Sequence, residues 1–124
     1  MQNWKPPRDN DNYRWTAHVG RKMQFYGLSP SRVLRVVRAA ERIEEGVAPG
    51  TLAGMSPFGR SPVGRQTKKP YRGEIWAMWR QDGKGRRKVI ITAWRYPGVS
   101  PVRSAVPLPP GVLAELEGEG LLDS

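Results

Sequence analysis

His18 is the side chain in this sequence that is best suited to moving protons. It is the only histidine among the 124 residues, and histidine is the one side chain whose ordinary pKa lies near neutral pH. The surrounding pattern places it in the first turn of a helix, where the positive end of the helix dipole favours the neutral imidazole that a general base needs. We therefore take His18 as the first candidate catalytic residue.

Two further candidates, Arg95 and Tyr96, stand side by side at the end of an apolar stretch. A guanidinium can stabilise negative charge on a reacting group, and a phenol can donate a hydrogen bond or a proton. Each candidate also has a structural interpretation. A histidine at a helix start often caps or packs, Arg95 can simply end a strand, and Tyr96 can belong to the core.

Other kinds of active site fit the sequence poorly. The chain has no cysteine, so disulfides and cysteine-ligated zinc are excluded, and a single histidine does not make a metal cluster. A glycine-rich phosphate loop lies between a strand and a helix, whereas Gly83-Lys84-Gly85 falls in a hairpin turn. We expect neither a cofactor nor a bound metal.

Basic residues are concentrated in one part of the chain. Lys and Arg outnumber Asp and Glu by 21 to 11, and residues 60–103 alone hold twelve basic residues against Glu74 and Asp82. Such a segment suits a polyanion, because phosphates that contact it release counterions; a solvated surface is the alternative interpretation. The basic residues expected to contact nucleic acid are Arg21, Lys22, Lys68, Lys69, Arg72, Arg80, Lys84, Arg86, Arg87 and Lys88.

The segment from Tyr71 to Tyr96 organises the predicted fold. Its side chains alternate as in two strands, and Asp82-Gly83 between the strands is typical of a tight hairpin turn. Both strands carry apolar residues on both faces. We therefore expect the pair to lie inside a larger sheet, with helices against one face.

Two helices are expected before this hairpin. The first spans Trp15 to Tyr26, with Thr16 as N-cap and Gly27 as the stop. The second opens at Ser29-Pro30 and continues until Gly46. Along it, four arginines share one helix face, which we interpret as an ordinary solvated face: Arg32, Arg35, Arg38 and Arg42.

The chain is expected to form one domain with two extensions. A flexible arm at residues 1–14 precedes a single domain at 15–106, and an acidic C-terminal tail with a short helix follows at 107–124. Within the domain, residues 56–70 are rich in Gly, Pro and basic side chains, which predicts a mobile basic loop.

The predicted fold class is α+β. Two N-terminal helices pack on an antiparallel β-sheet of about four strands. Besides the hairpin, one strand is expected within residues 47–55 and another at 102–106.

Four short motifs mark the helical half of the chain: Thr16-Ala17-His18-Val19, Lys22-Met23, Gly27-Leu28-Ser29 and Ala40-Glu41-Arg42-Ile43-Glu44. Together they resemble a family of small bacterial domains that begin with a "T-x-H-A…R-M…R-G-I-S" helix pair and end with a strand pair. Those domains are grouped with the barnase, EndoU, colicin and RelE ribonuclease fold. Lys22 stands where the family usually has Arg, and Tyr26 stands where Arg often precedes Gly.

The resemblance, which covers residues 15–96, implies a RelE-like fold and a metal-independent, toxin-like endoribonuclease. In such enzymes a base takes the 2′-OH proton, cations hold the phosphate, and an acid protonates the leaving oxygen; His18, Arg95 and Tyr96 would fill these roles. The implied partners are RNA, including ribosome-associated RNA, and a protein antitoxin.

Two other classes of function stay open. One is a non-catalytic module that binds RNA or DNA through the basic hairpin and the basic loop. The other is a protein-interaction domain whose acidic tail covers the basic patch in competition with nucleic acid.

Membrane insertion is not expected. The sequence contains no apolar run long enough to span a bilayer, and no signal peptide is visible at its start. Together with the absence of cysteine, this predicts a cytoplasmic location and no membrane partner.

Overall fold

The fold is built on one five-stranded β-sheet with three helices. The computed structural model describes residues 5–60, 70–83, 85–102 and 105–122. Within these ranges no helix is long and apolar enough to cross a membrane. The expected α+β class is confirmed. In chain order the elements are β1 (Tyr13–Trp15), α1 (Ala17–Tyr26), α2 (Pro30–Ala39), β2 (Arg42–Glu45), β3 (Thr51–Arg60), β4 (Tyr71–Gln81), β5 (Lys88–Pro97) and α3 (Val112–Gly118).

The sheet is mixed, whereas the expected sheet was antiparallel with about four strands. Its order is β1-β5-β4-β3-β2; β2 to β5 pair antiparallel, and β1 pairs parallel with β5. β1 includes Tyr13 and Arg14, which the sequence assigned to a flexible arm. Three residues are too few to show an alternating pattern. Tertiary contacts hold the strand, because Arg38 Nε donates to the Tyr13 hydroxyl at 3.0 Å.

α2 ends at Ala39, and the residues expected to continue it form β2 instead. Their charged side chains favour a helix by local propensity. However, β2 pairs with β3, where Arg42 lies opposite Met55. The Arg42 guanidinium also packs over the Trp76 ring at 5.1 Å. Pairing with the next strand, which is itself held in the sheet by β4, therefore outweighs local preference.

β3 extends to Arg60, so residues 56–60 lie in a strand and not in the expected loop. Pro and Gly are depleted in strands, which is why the sequence indicated a loop there. The strand accommodates them because β2 pairs only with residues 52–55, so Pro57 lies where β3 has no partner on that side among the described residues, and Gly59 takes a φ of +69°. Residues 61–69 of the expected loop lie outside the described residues. Residues 102, 105 and 106 of the expected last strand are not in a strand.

Both faces of the central strands are buried, in β4 from residue 73 to 79 and in β5 from residue 89 to 94. One face, here called the helix face, packs against α1 and α2; the other, the tail face, packs against the C-terminal segment 106–122. The sheet residues buried on the helix face are Tyr13, Ile75, Ala77, Trp79, Ile90 and Ala93. Those buried on the tail face are Ala53, Met55, Trp76, Met78, Val89, Ile91 and Trp94.

The acidic C-terminal segment is therefore part of the folded domain. It contains the expected short helix, α3, whose Val112 and Leu116 are buried against the tail face. Beyond α3 the chain turns back, with the Leu121 N–H donating to the Leu116 carbonyl at 3.0 Å. Apolar burial fixes this segment in spite of its charge.

Replacing Leu116 by Ala should lower the free energy of unfolding by about 2–5 kcal/mol, since it removes a completely buried side chain. The matched control is Leu113→Ala on the same helix. That side chain is 42% exposed, and its removal should cost about 1 kcal/mol or less. Urea titrations followed by tryptophan fluorescence measure both values. Equal losses in the two variants would contradict the docking of α3.

Candidate functional site

Thr16 fixes the start of α1 and thereby holds His18 against β5. The Thr16 hydroxyl accepts a hydrogen bond from the Val19 N–H at 3.0 Å and donates one to the Ile91 carbonyl at 2.7 Å. β1 leaves the edge of β5 after Ile90, so α1 can lie along the rest of that edge. The expected N-cap is confirmed, and His18 occupies the first turn of the helix.

His18 is completely buried, and both of its ring nitrogens are engaged. Nδ1 lies 3.2 Å from Glu119 Oε2, and Nε2 lies 2.9 Å from Thr92 Oγ1. A carboxylate can only accept, so we assign the proton of the neutral ring to Nδ1, and Nε2 then accepts from the Thr92 hydroxyl. A hydrogen bond from Arg21 lowers the pKa of Glu119 and keeps that carboxylate ionised.

Burial and ion pairing act in opposite directions on the pKa of His18. Removal from water lowers this pKa, and the effect outweighs the Glu119 carboxylate, which raises it. The net pKa lies below its ordinary value. His18 is therefore neutral at pH 7, as a general base requires, but both nitrogens are already occupied.

The order Glu119, His18, Thr92 is that of the acid, histidine and hydroxyl in hydrolytic triads. Thr92, however, is only 1% exposed, so a substrate cannot reach its hydroxyl. We assign the three residues a structural role, because their hydrogen bonds connect α1, β5 and the C-terminal segment. Glu119, with Arg14 and Asp9, also lines a cleft of about 370 Å³ beside His18.

Arg95 and Tyr96 lie away from His18, so the structure does not bring the candidate catalytic set together. Arg95 Nε donates to the Tyr26 carbonyl at 2.8 Å, at the opposite end of α1. Eight residues of helix separate His18 from Tyr26, a distance of about 12 Å. The Arg95 guanidinium lies on the helix face, 5.0 Å from the centre of the Phe58 ring. Tyr96 points to the opposite face, but it shares one cavity with Arg95 and Tyr26.

Two of the residues expected to contact phosphate are ion-paired with the C-terminal segment. Arg21 donates to both Glu119 oxygens at 2.8 Å, and Lys22 Nζ lies 3.2 Å from Glu115. Their charges are thus partly neutralised within the fold. The sequence could not indicate this pairing, because the partners lie more than 90 positions apart.

The basic hairpin is only partly neutralised. Arg87 pairs with Asp82 at 3.0 Å, and Lys88 Nζ lies 6.0 Å from the centre of the Trp79 ring. Lys68, Lys69 and Lys84 lie outside the described residues. Four other expected contacts have no acidic partner among the described residues: Arg72, Arg80, Arg86 and Lys88.

A second basic surface, which the sequence analysis assigned to solvent, lies on α2. Arg32, Arg35 and Arg38 are exposed along one side of this helix; we call them the arginine ridge. Within the described ranges none of the three has an acidic partner. The spacing of three was visible in the sequence, but the absence of nearby carboxylates was not. Arg42, the fourth arginine of that pattern, belongs to β2 and bonds Glu44.

The most highly connected polar group in the described core is Glu74, which the sequence analysis counted only as a charge. It is completely buried on the tail face. Its carboxylate accepts from Tyr71 Oη at 2.6 Å, Trp76 Nε1 at 2.9 Å, Ser100 Oγ at 2.6 Å and the Ser100 N–H at 3.0 Å. Arg42 joins the network by donating to Ser100 Oγ at 2.9 Å.

The network keeps Glu74 charged inside the protein. Burial alone would raise the pKa of Glu74, but the hydrogen bonds from Ser100, Tyr71 and Trp76 together lower it below the ordinary value. Burial, with the hydrogen bond to Glu74, raises the pKa of Tyr71 to about 12. We assign this network a structural role, because it fastens the chain at residue 100 to the sheet.

The described residues contain no group of three or more His, Cys, Asp or Glu side chains that could hold a metal ion. Comparison of the chain with protein-family models, curated proteins and solved structures gave no significant match. The candidate surfaces above therefore rest on geometry and charge alone.

Stability should fall as the pH drops from 7.5 to 5.5, because His18 has a lower pKa when folded than its unfolded value of about 6.5. The unfolded chain then binds the extra proton, so the stabilisation is complete above pH 6.5 and is lost as the pH decreases. The slope should reach at most about 1.4 kcal/mol per pH unit. Urea titrations across this range measure it.

The control for this pH dependence is His18→Gln, which should flatten the slope, because the chain has no other histidine. The pKa values of Glu74 and Glu119 are lowered, so these groups titrate at more acidic pH. A wild-type protein that gains stability between pH 7.5 and 5.5 would show instead that ion pairing with Glu119 dominates.

Proposed function

We propose that this protein is an RNA-directed nucleic-acid-binding module with a RelE-like arrangement of elements. The observation that carries the proposal is the arginine ridge, together with the basic residues at both of its ends. Cationic side chains that lack internal partners can exchange counterions for phosphates. Binding is favoured over catalysis because the only histidine is enclosed.

The arginine ridge is continued at each end by a basic residue of β5. Arg32 lies at the start of α2 and acts on Arg95 of β5. Burial lowers the pKa of Arg95, and the positive charge of Arg32 lowers this pKa further. At the other end, Arg38 bonds Tyr13, which lies opposite Lys88 in the sheet. The basic track therefore crosses the whole helix side of the domain.

Several acidic residues lie away from the arginine ridge, which supports a one-sided interface. Glu115 and Glu119 belong to the segment that covers the tail face, and Glu44 and Glu45 lie on β2 at the far edge of the sheet. Glu41 pairs with Arg60. A polyanion that approaches the arginine ridge thus meets cations before it meets these carboxylates.

The order of elements supports a RelE-like arrangement. The family that the sequence motifs resemble has a helix pair followed by a closing strand pair; here α1 and α2 precede four consecutive antiparallel strands, of which β4 and β5 are the closing pair. β1 and α3 are additions to that plan. The preference for RNA over DNA comes from the same resemblance.

Removing two charges from the arginine ridge should weaken binding and reduce its salt dependence. For Arg32→Gln with Arg35→Gln, the slope of log K against log salt for a single-stranded RNA should fall by about 1.4, since each lost phosphate contact removes about 0.7. Fluorescence anisotropy at several salt concentrations measures the slope.

The matched control is Arg21→Gln with Lys22→Gln, which removes the same charge from α1. These residues are already paired with Glu119 and Glu115, so the slope should change by less than half as much. If the two double variants lose the same slope, the binding surface is not localised on the ridge. Absence of RNA binding by the wild-type protein would refute the proposed function.

A metal-independent ribonuclease is the second candidate function, and the cleft beside His18 favours it. Arg14 and Glu119 line this cleft, and Arg21 reaches Glu119 from α1. Movement of Glu119 would free Nδ1 of His18 next to two arginines. With the ring proton then on Nε2 and donated to Thr92 Oγ1, Nδ1 would have the free lone pair of a general base, and the arginines would hold the phosphate.

This candidate predicts that Glu119→Ala increases the cleavage of total RNA in the presence of chelator, because it opens access to His18. The double variant Glu119→Ala with His18→Ala should lose the added activity while RNA binding persists. Gel analysis of the digested RNA detects both effects. No cleavage by the wild type or by Glu119→Ala would leave binding as the only function.

A further inference from the structure

A cavity at the end of β5 is lined by two tyrosine rings and an arginine. It has a volume of about 280 Å³ and lies at the end of β5, between Tyr26 and Tyr96 with Arg95 at its side. Prolines 97, 107, 109 and 110 form the remaining wall. We call it the tyrosine pocket. Its volume is at the lower limit of common ligand pockets, which measure roughly 300–1,000 Å³, so it suits a small planar group.

The walls of the tyrosine pocket are apolar and stiff. Proline has a fixed φ and no N–H group, so four of the lining residues offer neither donors nor much conformational freedom. The Leu108 N–H, between Pro107 and Pro109, is already bonded to the Val106 carbonyl at 2.8 Å. The polar side chains available to a ligand are the two tyrosine hydroxyls and the Arg95 guanidinium.

Arg95 is held in place with its terminal nitrogens uncommitted within the described chain. Nε donates to the Tyr26 carbonyl, and the guanidinium plane lies over Phe58 at 5.0 Å. The terminal nitrogens make no hydrogen bond to any described residue. A guanidinium fixed in this way presents a fork of donors that matches a phosphate.

The charges around the pocket favour an anion on the side of α2. Burial lowers the pKa of Arg95, and the positive charge of Arg32 lowers it further. On the other side, burial raises the pKa of the Tyr26 hydroxyl, and the negative charge of Glu115 raises it by a smaller amount. Glu115 is paired with Lys22, so its repulsion of an anion is reduced.

We propose that the tyrosine pocket binds one unpaired nucleobase of a single-stranded RNA, with the adjoining phosphate bound by Arg95 and Arg32. The proposal rests on the proposed function, and it adds a site that recognises bases to a surface that recognises phosphates. Tyrosine rings stack on any base, because every base has a π face. Arg95 lies where the base site meets the arginine ridge, so one nucleotide can use both.

The test compares a single-stranded 12-nucleotide RNA with an abasic 12-mer that has the same phosphates. By fluorescence anisotropy at fixed salt, the wild-type protein should bind the RNA about tenfold more tightly than the abasic oligomer, as expected for one stacked base. Tyr96→Leu should reduce this ratio to near one and leave the affinity for the abasic oligomer unchanged.

Phe25→Leu is the matched control. Phe25 is 77% exposed and lies beside Tyr26, with ring centroids 4.8 Å apart, but it does not line the pocket. Its loss should therefore leave the ratio within about twofold of wild type. Titration of wild-type protein with AMP, followed by NMR, provides a measurement that needs no variant; the backbone amides of Arg95 and Tyr96 should shift and those of Arg86 and Arg87 should not.

The outcomes separate the two proposals. Equal binding of both oligomers by the wild type, an unchanged ratio in a folded Tyr96→Leu, or AMP shifts confined to the hairpin would each overturn the tyrosine pocket while the arginine ridge stands. Failure to bind either oligomer would refute the proposed function and the pocket with it. A tenfold ratio that Tyr96→Leu abolishes and Phe25→Leu retains supports both.

Discussion

The burial of both faces of the two central strands is the constraint on which the rest of this structure depends. Every residue of β4 from 73 to 79, and of β5 from 89 to 94, is removed from water. A sheet buried in this way needs two separate covers. The helix pair covers one face, and the other requires the C-terminal segment, in spite of its charge. That segment buries Val112 and Leu116 against the sheet. Its acidic residues Glu115, Glu117 and Glu119 are therefore held close to the domain as well.

The position of the second cover also determines where charge is neutralised. Once α3 is packed on the tail face, Glu115 and Glu119 lie against α1 and pair with Lys22 and Arg21. The Glu119 carboxylate also covers Nδ1 of His18. No comparable acidic element approaches α2 within the described residues. The uneven distribution of free cations thus follows from how apolar surface is buried.

Features set by neighbouring residues could be predicted from the sequence, and features set by distant partners could not. The caps at Thr16 and Ser29 depend on a few adjacent side chains, and they are found where the pattern placed them. The hairpin also reverses after Gln81 as expected, but its connection runs from residue 82 to 87 and is longer than the tight turn that Asp82-Gly83 predicted. By contrast, β1, β2 and the docking of the tail depend on surfaces that exist only in the folded protein. The charged side chains from Arg42 to Glu45 favour a helix by local propensity, yet this run pairs with β3.

The candidate site shows the same division. Composition and local pattern located His18 at the start of α1, but its enclosure depends on Glu119, 101 positions later. Glu74 was visible as an isolated acid within an apolar strand. Its four hydrogen bonds could not be inferred, because two of them come from Ser100, which the fold brings back across the sheet. Alternation along a strand predicts which face a side chain takes, but not what lies above it.

The two edges of the sheet determine how readily strands of different molecules can pair. On one side, β5 is bordered first by the short β1 and then by α1, whose Thr16 hydroxyl bonds the Ile91 carbonyl. On the other side, β2 has four residues, three of them charged. Neither β1 nor β2 is a long, flat, apolar template to which a second chain could add a strand. Short and charged edge strands of this kind disfavour the pairing of sheet edges between molecules, which is the first step towards fibrous aggregation.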